Sequence, residues 1–226
     1  MPAKNIVKRF QENSFYHIYN RGVEKRRIYL DSQDYTKFLT ILKEALSPSL
    51  ARSDLATTVN LQGSTFKGVP RMPKNFHETI SLHAYCLMPN HFHLLAKQRE
   101  SQTISAFMQS IVTRYSMYFN NKYKRSGHLF TGIYKASLIE DDAYLLHVSR
   151  YIHRNTLSLN IPIQQGHSSY AIYEAKQNTP WLNTEVILDY FKPGTLPLHI
   201  HSNTYQAFVE YDEYSSEEQY IEDSLY

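Results

Sequence analysis

Tyr85-Cys-Leu-Met-Pro-Asn-His-Phe-His-Leu-Leu-Ala96 carries the clearest strand and turn signals in the chain. Apolar runs flank Met88-Pro89-Asn90, and Pro and Asn favour tight turns. Residues 79–87 and 91–97 therefore read as two strands of a hairpin. Inside the second strand a single apolar residue separates His91 from His93. Side chains alternate across a strand with period two, so both imidazoles point to one face. Two neutral imidazoles converging there form half of a divalent-metal site. The chain has 11 histidines, so a chance pair at this spacing is common, and the pair alone leaves ligand and structural histidine as alternatives.

Upstream, Ser14-Phe-Tyr-His-Ile-Tyr-Asn20 alternates and is aromatic-rich, which predicts a first strand broken by Arg21-Gly22. Asp31 or Ser32 can cap a helix whose apolar positions Tyr35, Phe38, Leu39, Leu42 and Leu46 follow helical spacing. Residues 47–78 carry several Pro and Gly with little periodicity and read as a long excursion. Ile104, Phe107, Met108, Ile111, Val112, Tyr115 and Phe119 mark a long amphipathic helix ending near Gly127, and residues 129–139 read as extended. Asp141 and Asp142 open a further helix through Leu145, Val148 and Ile152. Beyond Thr156 the pattern weakens, with a helix expected over residues 181–191 and loop over 192–206. The order β-α-β-β-α-β-α predicts an α+β fold: a ferredoxin-like antiparallel sheet with helices on one face, plus a C-terminal extension. We expect a main domain over residues 1–160 and an extension over 161–226.

Composition narrows the setting. No apolar run approaches the roughly 18 residues a membrane helix needs, and the first ten residues lack the apolar core of a secretory signal. The single cysteine, Cys86, excludes a disulfide framework and suits a reducing cytoplasm as a small core residue. The net charge of +3 conceals an asymmetry, because residues 207–226 hold seven acids and no Lys or Arg. Setting those seven aside leaves 24 Lys and Arg against 14 acids, a balance of +10 over the rest of the chain. A basic body with an acidic tail points to a polyanionic partner. Residues 101–139 contain no Asp or Glu but hold Arg114, Lys122, Lys124, Arg125 and Lys135. These are interleaved with Tyr115, Tyr118, Phe119, Tyr123, Phe130 and Tyr134. Cations for phosphates and aromatic faces for unpaired bases are the materials of single-strand binding.

Tyr151 and Asn155 lie four residues apart on the helix opened by Asp141, so phenol and carboxamide share a face. With His91 and His93 they offer two nitrogens, one oxygen and a hydroxyl nucleophile. A phenol attacks weakly at neutral pH unless a metal or nearby cations help it. Tyr151 is one tyrosine among 19, and the residues alone do not single it out from amphipathic packing.

The ordered motifs Met88-Pro-Asn-His-Phe-His-Leu94, Arg114-Tyr115, Ser126-Gly-His-Leu-Phe130, Tyr134-Lys-Ala136, Asp142-Ala-Tyr-Leu-Leu146 and Arg150-Tyr-Ile-His-Arg-Asn155 resemble the HUH single-tyrosine transposases. Within that family they are most similar to the REP-associated tyrosine transposases, over about residues 13–160. The resemblance implies cutting and rejoining of single-stranded or hairpin DNA through a 5′-phosphotyrosine, with Mg²⁺ or Mn²⁺, in a homodimer. It assigns the metal to His91, His93 and Asn155 and the attack to Tyr151. His128, Phe130, Arg150 and Arg154, within matched motifs, join the basic residues as expected DNA contacts. Asn155-Thr156 replaces the family's common asparagine-proline, and the 47–78 excursion is longer than usual. Imidazole preference of transition metals would favour His147 as third ligand, four residues before Tyr151. The oxygen preference of Mg²⁺ and the family's donor position favour Asn155. His153 should point away from that face. Two rival functions are a non-catalytic binder of structured single-stranded nucleic acid and a metal-dependent hydrolase in which water attacks.

Overall fold

The computed structural model describes residues 10–49, 57–61, 64–68, 72–175, 179–195, 200 and 202–210. The acidic tail from residue 211 onward lies outside the described residues. The elements are β1 (Phe15–Arg21), α1 (Ser32–Leu46), β2 (Thr57–Leu61), β3 (Ser64–Gly68), β4 (Ile80–Met88), β5 (His91–Gln98), α2 (Thr103–Lys122), β6 (Lys135–Ile139), α3 (Asp142–Arg154), α4 (Tyr170–Glu174), α5 (Glu185–Leu188) and α6 (Tyr205–Glu210). Strands β4, β5, β1 and β6 form one antiparallel sheet in that order. With α1 and α2 this is the ferredoxin-like β-α-β-β-α-β succession. Inside the excursion β2 and β3 pair as a separate two-stranded sheet. Thr57-Thr-Val-Asn-Leu61 is β-branched enough to signal a strand, which the reading of an aperiodic excursion passed over.

The two capping aspartates act as their positions predict. Asp31 accepts from the Asp34 amide at 3.1 Å, and Asp141 accepts from the Tyr144 amide at 2.7 Å. Each satisfies a donor that the first helical turn leaves orphaned. α2 ends at Lys122, short of Gly127, and the extended stretch before Ile139 is a strand only from Lys135. Of residues 181–191 only Glu185–Leu188 form α-helix, followed by a 3-10 turn.

Helices cover both faces of the sheet, which corrects the expectation of one. α1 and α2 lay Phe38, Leu42, Phe107, Ile111 and Tyr115 against Ile18, Phe92 and Leu94. α3 and the segment after residue 160 lay Leu145, Val148, Ile152, Tyr170 and Phe208 against Ala84, Cys86 and Leu95. Strands β1, β4 and β5 are accordingly buried at nearly every position rather than alternating. A bulge between Leu82 and Ala84 makes this possible in β4. The extra residue, His83, shifts the alternation, so that Leu82 and Leu87 face α1 and α2 while Ala84 and Cys86 face α3.

Candidate metal and nucleophile centre

Strand register assembles the site. Across the β1–β5 ladder Tyr19 pairs with His93 and Arg21 with His91, while β6 brings Lys135 opposite Tyr19. Paired residues share a face, so these side chains emerge together on the face that α3 covers. They line a cavity of about 140 Å³ closed on one side by Tyr151. The Tyr151 ring stands edge-on to His93, with centroids 5.6 Å apart and planes at 90°. His91 and His93 also meet edge to face, with centroids at 4.9 Å.

Both histidines are hydrogen-bonded at Nδ1. His91 Nδ1 lies 2.6 Å from Asn90 Oδ1, and His93 Nδ1 lies 2.9 Å from His17 Nε2. His93 Nε2 is buried and has no hydrogen-bond partner among the described residues. Burial pushes the His91 imidazole down to about 4; Arg21 acts in the same direction and a hydrogen bond with the Asn155 side chain opposes it. Burial, then the neighbouring His17 and His91, holds His93 well below the usual histidine range. Both rings are thus neutral at physiological pH, and a cation displaces no proton from them. Tyr19, deprived of water and beside Tyr144, is pushed up to about 12. It stacks on His93 and contributes a wall rather than a charge.

Asn155 caps the end of α3, its Nδ2 donating to the Tyr151 carbonyl at 3.1 Å, with its side chain reaching His91. The structure therefore brings His91, His93, Tyr151 and Asn155 to one place. The donors fit a divalent cation: two neutral imidazoles, one of them with a buried nitrogen that lacks a partner, and a carboxamide oxygen. Among the described residues no cluster of three or more His, Cys, Asp or Glu exists as an alternative. His147 is buried against Phe208, centroids 5.7 Å apart. His153 is turned into the second core, as its spacing predicts, and bonds Ser169 and Tyr205.

The expected DNA contacts divide. Lys124, His128 and Lys135 are exposed, and Lys135 reaches the cavity rim with Nζ 5.6 Å from the Tyr19 ring centre. Arg125 bonds Asn120 at 2.8 Å. Five others make contacts within the fold. Lys122 is held by Asp31 and Asp34 at the start of α1. Arg114 pairs with Glu44, and Phe130 is buried beside Phe92. Arg150 is 6% exposed with its guanidinium 5.2 Å from the Phe208 ring centre. Arg154 donates to the Val209 carbonyl at 2.8 Å, tying α3 to α6. His17, Tyr19 and Arg21 escaped the sequence reading. Their period-two spacing on β1 was visible, but the pairing of β1 with β5 was not.

Residues 74–155 match the family described as "Transposase IS200 like", a span that includes all four residues of the centre. None of the curated proteins compared matches the chain. Among solved structures, a REP-associated tyrosine transposase bound to a REP hairpin is similar with a TM-score of 0.52 at 11% identity, over 79% of this chain and 89% of that one. At that identity the likeness is one of fold. The resemblance read from the sequence is thus met twice, by the IS200-like transposase pattern over residues 74–155 and by a fold shared with a REP-associated tyrosine transposase.

Proposed function

We propose that this chain is a metal-dependent single-strand DNA transposase that cuts and rejoins hairpin-bearing DNA through a 5′-phosphotyrosine. The observation that carries the reading is the edge-on approach of Tyr151 to His93, 5.6 Å between ring centres, on the wall of one cavity within a single chain. A nucleophile and two neutral imidazoles converge where Arg21 and Lys135 supply positive charge for a phosphate.

His91, His93 and Asn155 would hold Mg²⁺ or Mn²⁺, which when bound polarises the phosphodiester. Tyr151 Oη attacks the phosphorus, so that the Oη–P bond forms and the bond to the 3′-oxygen breaks. The phenolic proton passes to solvent, and the departing oxygen takes one up as a 3′-hydroxyl. The phosphotyrosine stores the bond, so attack by another strand's 3′-hydroxyl reverses the step without an external energy source. Lys135 and Arg21, flanking the cavity, hold the phosphate, while the exposed Lys124 and His128 extend the positive surface along the strand.

A denaturing gel after incubation with labelled hairpin DNA and Mg²⁺ tests this. A covalent protein–DNA band is expected, and it should vanish in Tyr151→Phe while hairpin binding persists. Cleavage without the band would mean that water attacks, and binding alone would mean a non-catalytic binder; either outcome sinks the proposal. Because one chain holds the whole constellation, the chemistry does not require a second copy. Light scattering at micromolar concentration, run beside the gel, tests the homodimer expected from the sequence.

A further inference from the structure

We infer that His17, a residue with no place in the four-residue centre, is a positioning residue that fixes the tautomer of His93. The inference rests on the reading of the metal centre just proposed. His17 and His93 sit on neighbouring strands and the same sheet face, 1% and 3% exposed. Their rings lie 5.1 Å apart at 25°, and the only polar contact joining them is His17 Nε2 to His93 Nδ1 at 2.9 Å.

A bond between two neutral imidazole nitrogens needs one donor and one acceptor, so two arrangements compete. If His17 donates, His93 must carry its proton on Nε2. That N–H would be buried without an acceptor among the described residues, an unfavourable arrangement. If His93 donates from Nδ1, its Nε2 presents a lone pair to the cavity, which is the form a metal requires. The second arrangement puts the proton of His17 on Nδ1, which is not among the buried atoms without a partner, and prepares the ligand at once.

Metal-binding histidines commonly give their second N–H to a carboxylate or a carbonyl, which orients the ring. Here a neutral imidazole accepts it instead. The orientation is gained without adding a negative charge behind the site where a phosphodiester must approach. No described Asp or Glu is among the residues lining that cavity.

The test uses Mn²⁺ alone, titrated into the full chain and followed by electron paramagnetic resonance, with no DNA present. Wild type should bind and His91→Ala should not. His17→Phe removes the acceptor and should weaken Mn²⁺ binding about 10–100-fold. His17→Gln, whose carbonyl can stand near the lost Nε2, should recover most of it. A second measurement on the wild type is independent of how the variants fold. In ¹⁵N-histidine spectra His93 should carry its proton on Nδ1. Wild-type affinity in a folded His17→Phe, or a His93 protonated on Nε2, overturns the role of His17 while leaving the metal centre intact. Absence of Mn²⁺ binding in the wild type overturns both.

Discussion

Two buried histidines, His93 on β5 and His153 on α3, look alike in the sequence and are treated oppositely by the fold. Both are withdrawn from water, and burial holds both neutral, pushing His153 down to about 3. His153 is bonded at both ring nitrogens, Nε2 to Ser169 Oγ and Nδ1 to Tyr205 Oη, each at 2.7 Å. His93 is bonded at one and aims the other into a cavity beside a second imidazole and a tyrosine. Buried polar atoms are nearly always satisfied, so the two environments have different meanings. A fully bonded histidine ties elements together, and a half-bonded one beside other donors has a nitrogen left to offer.

The largest effects should fall where that contrast is broken. His93→Ala should cost at least about 100-fold in Mn²⁺ affinity and destabilise less than His153→Ala, because it strands one hydrogen-bond partner, His17, rather than two. His153→Ala should keep Mn²⁺ affinity but lose roughly 3 kcal/mol of stability, since it opens a cavity and strands Ser169 and Tyr205. A metal titration beside a urea curve for each variant decides. Exchange of the two outcomes would reverse the assignment.

His83 sharpens the comparison by showing what an orphaned nitrogen lacks when it stands alone. Its Nδ1 meets the Asn183 carbonyl at 2.9 Å, and its Nε2 has no partner among the described residues. Its ring neighbour is Phe15, 5.2 Å away, rather than a second donor. Burial pushes it down to about 4. With the folded value below the unfolded one, the unfolded chain takes up the proton first. Stability is therefore full above about pH 6.5 and is lost as pH falls toward 4, by up to about 3 kcal/mol. Urea unfolding at pH 7 and pH 4.5 should show a smaller difference in His83→Gln than in the wild type; an unchanged difference would refute the assignment of this slope to His83.

How far the sequence reaches follows from the range of the interactions. The α1 and α2 face was legible because helical spacing, the capping Asp31 and the Met88-Pro89-Asn90 turn are local signals. His91 and His93 were legible for the same reason, since period two requires only three residues. The role of α3 on the opposite face was not, because its cover comes from Tyr170, Tyr205 and Phe208 far along the chain. The same distance hid the intramolecular partners of Arg150 and Lys122. Each is a cation in an acid-poor local window, and each meets its partner, Phe208 or Asp31 and Asp34, only after folding. Tyr151 and Asn155 were singled out by the transposase resemblance; spacing alone gave them a shared face and no chemistry.

A smaller effect separates Asn155 from His147, the two residues that flank Tyr151 by one helical turn. Asn155 reaches His91 and the Tyr151 carbonyl, whereas His147 is packed against Phe208. Asn155→Ala should raise the Mg²⁺ needed for half-maximal cleavage about 10-fold, and His147→Ala should leave it within about two-fold. Magnesium titrations of the two variants that came out the other way round would make His147 the third ligand.

The smallest expected effect tests two lysines that the acid-free stretch made look equivalent. Lys135 is exposed at the cavity rim on the face of His91 and Tyr151. Lys122 is bonded to both Asp31 and Asp34, with Tyr118 and Tyr123 completing the cluster around Asp34. A cation already paired releases few counterions on meeting a phosphate, so its loss subtracts little from DNA affinity. Lys135→Ala should weaken hairpin binding several-fold and lower the slope of log affinity against log salt by about one. Lys122→Ala should leave affinity and slope near wild type and lower the melting temperature instead, because Asp34, buried at the start of α1, loses its cation. Binding isotherms at three salt concentrations read both quantities. Should Lys122→Ala flatten the salt slope as much as Lys135→Ala, the DNA path must cross the α1–α2 face as well, and the division of labour between the two faces of the sheet fails.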